Sequence, residues 1–293
     1  MQVYEKNIDV LGAPLHVRVW GSPSARHQLL YWHGRGGTGL SINEAALTLM
    51  EHYSTHVISI DAPGCGQSPA RDADAYLMPQ LARLVTDLAD TLELASLVFV
   101  GHSWGGMVGC HVAALYPQLV KRLVLLDTGY LNPEDRGYTS EEAIEDAINL
   151  YEGFRFNDWE SYLNEEKKHV PRWTEALEAA LRTTMQEKNG QIIPIITPHL
   201  ITSLEHAYVR HPPSTTYPAL KESQIPILLL AATLPQSFQP TRERLIARFQ
   251  AVVPQLEVQY LLETGHDVPS YLGPSLGDYV GHWLNYGKQY RRK

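Results

Sequence analysis

The chain has 293 residues, 44% of them hydrophobic and 19% charged. That balance suits one large globular unit with an insertion and excludes a collagen-like, repetitive or disordered chain. A formal net charge of −8 argues against a nucleic-acid partner, because phosphate binding is carried by clustered Lys and Arg.

No run approaches the roughly 18 uninterrupted apolar residues of a membrane-spanning helix. The first residues carry no basic segment leading into an apolar one, so neither a membrane partner nor a secretory leader is expected. Cys65 and Cys110 offer no metal spacing and no disulfide framework. A cytoplasmic protein without a cofactor is expected, with the basic tail 288–293 as a solvated end.

Two early strand patterns, Val3 to Val10 and Leu15 to Trp20, are joined by Gly12-Ala13-Pro14 and predict an antiparallel start. Apolar strand-length runs follow at Leu29 to Trp32 and Val57 to Ile60. A helical pattern runs from about Met78 to Leu94, then come the strand Leu97 to Val100, a helix from Ser103 to Leu115 and the strand Leu123 to Leu126. From Gly129 the periodicity turns helical, with a capped start at Ser140 and further helices at Trp159 to Val170 and Thr174 to Met185. The α/β rhythm returns with the strand Pro226 to Leu230, a helix at Thr241 to Val253, the strand Leu256 to Leu262 and a helix at Leu276 to Tyr286. The reading is an α/β core, 1–128 and 216–293, interrupted by a helical cap, 129–215. That segment holds 15 Asp and Glu against 8 Lys and Arg, −7 of the total charge, and should repel polyanionic substrates such as acyl-coenzyme A.

The strand Leu97 to Val100 runs into Gly101-His102-Ser103-Trp104-Gly105-Gly106, a G-x-S-x-G pattern at a strand-to-helix junction. A serine on so sharp a turn leaves no room for side chains on either flank, and Gly101 and Gly105 remove them. The helix beginning there aims its N-terminus at the site and favours negative charge.

Three further segments occur in a fixed order. His33-Gly34-Arg35-Gly36-Gly37 follows the third strand, Asp61-Ala62-Pro63-Gly64-Cys65-Gly66-Gln67-Ser68 the next, and Gly265-His266-Asp267 the last. With these, the chain resembles the α/β-hydrolase superfamily over nearly its whole length. The resemblance implies a mostly parallel eight-stranded sheet with an inserted helical cap. It also implies Ser103 as nucleophile, His266 as general base, and the backbone amides of Arg35 and Trp104 as the oxyanion hole. His199, His206 and His211 precede the last two core strands, the wrong order for the base. His282, beside Trp283, reads as a packing residue, and Asp61 as a turn former.

The acid departs from the family pattern. The loop from Ala231 to Pro240 after the penultimate strand holds no carboxylate. Glu243 follows it in a helical pattern between Arg242 and Arg244 and reads as solvated. Some relatives carry the acid one strand earlier, where Leu125-Leu126-Asp127 stands, so Asp127 is the expected orienting acid. Glu263 and Asp267 are tied too closely to His266 to face it.

A serine at the elbow argues against the carboxylate chemistry of dehalogenases and epoxide hydrolases. Hydrolysis of a small ester-like substrate, a carboxylic ester or lactone, through an acyl-enzyme is the expected reaction. Aminopeptidase-like, amidase and carbon–carbon hydrolase chemistry stay open. So does a non-catalytic receptor, which the missing carboxylate would favour. The aromatic residues of the cap (Tyr130, Tyr151, Trp159, Tyr162, Trp173) either line a partly apolar pocket or pack the cap.

Overall fold

Runs of Val, Leu and Ile uninterrupted by Lys, Arg, Asp or Glu become strands buried on both faces, the mark of a parallel sheet covered by helices on each side. The computed structural model describes residues 3–287; the tail 288–293 lies outside the described residues. The strands of the core are Val3–Val10 (β1), Ala13–Trp20 (β2), His27–Trp32 (β3), Thr55–Ile60 (β4), Leu97–His102 (β5) and Val120–Leu126 (β6). A separate hairpin, Met185–Lys188 (β7) and Gln191–Pro194 (β8), intervenes before Ile227–Ala232 (β9) and Leu256–Leu261 (β10). Among the described residues eight of these strands form one sheet in the order β1-β2-β4-β3-β5-β6-β9-β10. β2 pairs antiparallel with both β1 and β4, and the remaining pairs are parallel.

Alternation along the central strands assigns the two faces. Val98, Val100, Val124 and Leu126 join one apolar cluster with Asn43–His52 (α1) and the C-terminal helix, while Leu97, Phe99, Leu123 and Leu125 join the other. The second cluster takes in Met78–Thr91 (α2) and Trp104–Leu115 (α3). In α2 the buried Leu81, Leu84, Val85 and Leu88 fall at i, i+3, i+4 and i+7, one stripe of a helix. At roughly 1.5–3 kcal/mol for each fully buried aliphatic side chain, that stripe alone contributes several kcal/mol to docking.

The segment between β6 and β9 holds Ser140–Gly153 (α4), Trp159–Glu166 (α5), Glu175–Arg182 (α6), the β7–β8 hairpin, Pro198–Arg210 (α7) and Tyr217–Ser223 (α8). α4 starts on a capping box: Thr139 Oγ1 accepts from the Glu142 amide at 3.2 Å, and the Glu142 carboxylate accepts from the Thr139 amide at 2.7 Å. The helical pattern expected through Met185 instead stops at Arg182. Asn189 and Gly190 both adopt positive φ (54° and 72°), the turn that closes a two-residue hairpin, and Met185 opens its first strand. Tyr162, Leu163, Met185 and Ile192 form a small core of their own with Trp159 and Trp173 packed against it. Arg172 fastens this segment to the sheet unit by bonding Glu44 on α1 and, at 3.1 Å, the Ser270 carbonyl.

After β9 come Gln239–Val252 (α9), and after β10 Val268–Leu272 (α10) and Pro274–Tyr286 (α11). Among the described residues no helix is long and apolar enough to cross a membrane.

Candidate active site

Ser103 stands alone between β5 and α3 with φ 50° and ψ −119°. This left-handed turn costs a non-glycine residue strain of order 1–3 kcal/mol, held here by the surrounding packing. Gly105 lets the first turn of α3 lie against the end of β3. A Cβ there would lie 2.1 Å from the Trp32 carbonyl oxygen and 2.6 Å from that of His33. The turn lifts the serine hydroxyl toward the ends of β6 and β10.

Three side chains meet at that point. His266 Nε2 lies 2.9 Å from Ser103 Oγ, and His266 Nδ1 lies 2.8 Å from Asp127 Oδ2. Asp127 is 4% exposed. Burial alone pushes its carboxyl up, but hydrogen bonds from His266 and Tyr130 and the charge of Arg242 outweigh it and hold the group below the usual carboxylate range. An ionised carboxylate only accepts, so Nδ1 carries the hydrogen and Nε2 is left to accept the Ser103 hydroxyl proton. The other carboxylate oxygen accepts from the Tyr130 hydroxyl at 2.7 Å and the Ala232 amide at 3.1 Å. Arg242 Nε approaches the same oxygen at 3.4 Å.

The sequence therefore brings together Ser103, His266 and Asp127, three residues from three separate strand ends. Glu243 is exposed and bonds Gln239, and Glu263 is exposed. His199 and His206 are exposed on α7. Asp61 is fully buried and accepts from Arg18 at 2.7 Å, the Gly39 amide at 2.8 Å and the Gln67 amide at 3.0 Å, which pins its turn. Arg242 flanks Glu243 in sequence, yet it is 2% exposed and supports Asp127 from behind. A lone arginine in a helix gives no sequence signal for that role.

The Gly34–Arg35 loop reaches the serine closely, since a Cβ on Gly34 would sit 3.2 Å from Ser103 Cβ. Trp104 opens α3, so its amide belongs to the first turn, whose N–H groups find no carbonyl within the helix. Behind them His33 is buried, bonds the Gly34 carbonyl through Nδ1 at 2.7 Å and accepts the Ala62 amide at Nε2. Burial pushes it down to about 4, which fixes it as a neutral strut.

Ser103 and His266 open onto two cavities. One, of about 380 Å³, is lined by Gly34, Arg35, Tyr151, Phe154 and Tyr162 among others; the second, of about 300 Å³, by Met107, Tyr130, Tyr208 and Phe238. Of the cap aromatics, Tyr130, Tyr151 and Tyr162 thus line cavities, while Trp159 and Trp173 pack the cap. Among the described residues no cluster of three or more His, Cys, Asp or Glu is placed to hold a metal ion.

A serine, an imidazole and a buried carboxylate thus stand in series at the sheet edge. A match to the alpha/beta hydrolase fold family covers residues 29–266, and the chain belongs to that family. It is similar to a serine hydrolase-like protein of Danio rerio, 30% identical over 168 residues, 56% of this chain and 48% of that protein. It is also similar to (E)-2-((N-methylformamido)methylene)succinate hydrolase of Acinetobacter baylyi, 36% identical over 110 residues, 37% of this chain and 40% of that protein. The chain thus spans about half the length, or less, of these curated relatives. The crystal structure of E-2-(acetamidomethylene)succinate hydrolase superposes with a TM-score of 0.77 over 97% of this chain and 100% of that one; at 20% identity the likeness is one of fold.

Proposed function

We propose that the protein is a serine hydrolase that cleaves a carboxylic ester or lactone of a small molecule through an acyl-enzyme on Ser103. The continuous path from Ser103 Oγ through His266 to Asp127, with steps of 2.9 and 2.8 Å, carries this reading. Ser103 attacks the carbonyl carbon as its proton passes to His266 Nε2. Asp127 keeps the imidazole in the right tautomer and balances the charge it gains. The amides of Arg35 and Trp104 receive the oxyanion. The imidazolium then protonates the departing alkoxide, and the acyl group stays on Ser103. A water next gives its proton to Nε2 and attacks the acyl carbon, Ser103 recovers a proton, and the acid leaves.

An ester asks less of the leaving group than an amide, which puts it first. An amide-like bond is the second reading, supported by the name of the Acinetobacter relative, whose substrate carries an N-methylformamido group. We take the setting to be the cytoplasm, where the buried thiols of Cys65 and Cys110 stay unpaired. No nucleic-acid or membrane partner is part of the proposal.

Turnover of a short-chain nitrophenyl ester, with labelling by a fluorophosphonate, tests it. Wild type should hydrolyse the ester and carry the label on Ser103, and Ser103→Ala should lose both, its kcat falling by several orders of magnitude. Label on a different serine, or an active alanine variant, overturns the proposal.

A further inference from the structure

The cavity of about 380 Å³ beside Ser103 is apolar over much of its wall, with Phe154, Tyr162 and Leu181 on it, yet two carboxylates also line it. Glu166 stands at the end of α5 and Asp267 follows His266. Among the described residues no donor is hydrogen-bonded to the Glu166 carboxylate, whereas Asp267 accepts one bond, from the Ser270 hydroxyl. Burial, opposed by the neighbouring His169 and aided by the charge of Asp267, holds the Glu166 carboxyl above its usual range.

An independent observation comes from His102, which lines the same cavity and is 8% exposed. Its Nε2 donates to the His266 carbonyl at 2.8 Å, so in the neutral ring Nδ1 carries no hydrogen. Nδ1 faces Gly34 on the cavity wall, where an added Cβ would lie 2.8 Å away. Among the described residues nothing donates to it. The cavity therefore presents three acceptors, two of them anionic. Its cationic lining among the described residues is Arg35, which is exposed.

A purely apolar acyl chain filling this space would take water from the partly buried Glu166 and from His102 Nδ1 and return no hydrogen bond. A protonated amine returns a positive charge and two or three N–H donors, and the neighbouring Tyr162 and Phe154 rings suit the carbon skeleton that carries it. We infer that this cavity selects acyl groups bearing a primary or secondary ammonium, as in an α-aminoacyl ester or amide, with Glu166 as the residue that sets the selectivity. The inference rests on Ser103 forming an acyl-enzyme and names the class of acyl group it accepts.

The test compares leucine ethyl ester with its N-acetyl form near neutral pH, after fluorophosphonate labelling has been measured on the same preparation. Wild type should favour the free amine by about tenfold or more in kcat/KM, mostly through KM, as expected for a charge-assisted contact. Glu166→Gln should collapse that ratio toward one by raising KM for the amine. Glu165→Gln, which alters the neighbour paired with Lys168, should leave the ratio as in wild type. A wild-type ratio at or below one, or a ratio unmoved by Glu166→Gln, overturns the inference while leaving the hydrolase reading in place. If Ser103 stays unlabelled and neither ester turns over, the hydrolase reading itself has failed and takes the inference with it.

Discussion

Arg242 Nε lies 3.4 Å from Asp127 Oδ1, the carboxylate oxygen that His266 does not use. Asp127 is thus shared between an imidazole in front and a guanidinium behind, with the Tyr130 hydroxyl bonding both Oδ1 and, at 3.2 Å, Arg242 Nε. Arg242 is itself tied down by Gln239 at 2.9 Å and the Leu234 carbonyl at 3.1 Å. A carboxylate fixed at this many points keeps one orientation, which is what an orienting acid needs.

Asp127→Asn keeps the shape and removes the charge. Activity toward a nitrophenyl ester should fall about 10³- to 10⁴-fold, as loss of the orienting acid does in comparable triads. The variant should also melt below wild type, because the buried Arg242 loses its ionic partner. Activity within about tenfold of wild type would remove Asp127 from the mechanism. Glu243→Gln, on the exposed face of α9, should match wild type in both measurements.

Arg242→Gln tests the support from behind. The Asp127 carboxyl is depressed in the fold, so its contribution to stability is full above its unfolded value and is lost as pH falls through the folded one. Arg242 is one cause of that depression. As pH falls below the unfolded carboxyl value, the drop in urea midpoint should therefore be smaller and end at a higher pH in Arg242→Gln than in wild type. Superimposable pH profiles would show that Arg242 has no hold on Asp127.

Two buried imidazoles give a separate pH dependence. Burial pushes both His33 and His111 down from 6.5 to about 4. The unfolded chain takes up their protons first, so stability drops as pH falls from about 6.5 toward 4, by at most about 1.4 kcal/mol per pH unit for each histidine. His111→Phe should flatten the slope of unfolding free energy against pH within that window. A slope equal to wild type would mean that His111 is protonated in the native state.

Gly105→Ala forces a methyl against the backbone carbonyls of Trp32 and His33, atoms on or beside β3 that have no rotamer to escape through. A loss of about 3 kcal/mol or more is expected, with Tm lower by roughly 6–12 °C at this chain length. Gly153→Ala is the matched control, since a Cβ there meets nothing within 4 Å at the end of α4. Its Tm should be unchanged or slightly higher. Equal melting of the two variants would contradict the packing at the elbow.

Much of the site was legible in the chain itself. Periodicity gave the eight strands of the sheet and seven of the helices to within a few residues, because burial on one stripe or on both faces leaves a regular trace, while α1, α7, α8 and α10 were not read. The elbow around Ser103 and the turn at His266 were readable for a related reason: glycines beside a chemically active residue at a strand end report a local backbone requirement. Asp127 was expected because the loop after the penultimate strand holds no carboxylate and some members of the family the chain resembles carry the acid one strand earlier; β6 does lie next to β5 in the sheet. The β7–β8 hairpin was missed because its strands are four residues each, too short for alternation to stand out from a helix end. The roles of Arg242, His102 and Glu166 depend on contacts between segments as far apart as 164 residues, from His102 to the His266 carbonyl. A charged residue in a helix reads as solvated until the fold lays another element over it. Sequence by itself determined the local backbone and pointed to the candidate reacting groups. Only the tertiary structure decided which charges are buried, because burial is a property of what packs on top and not of the segment beneath.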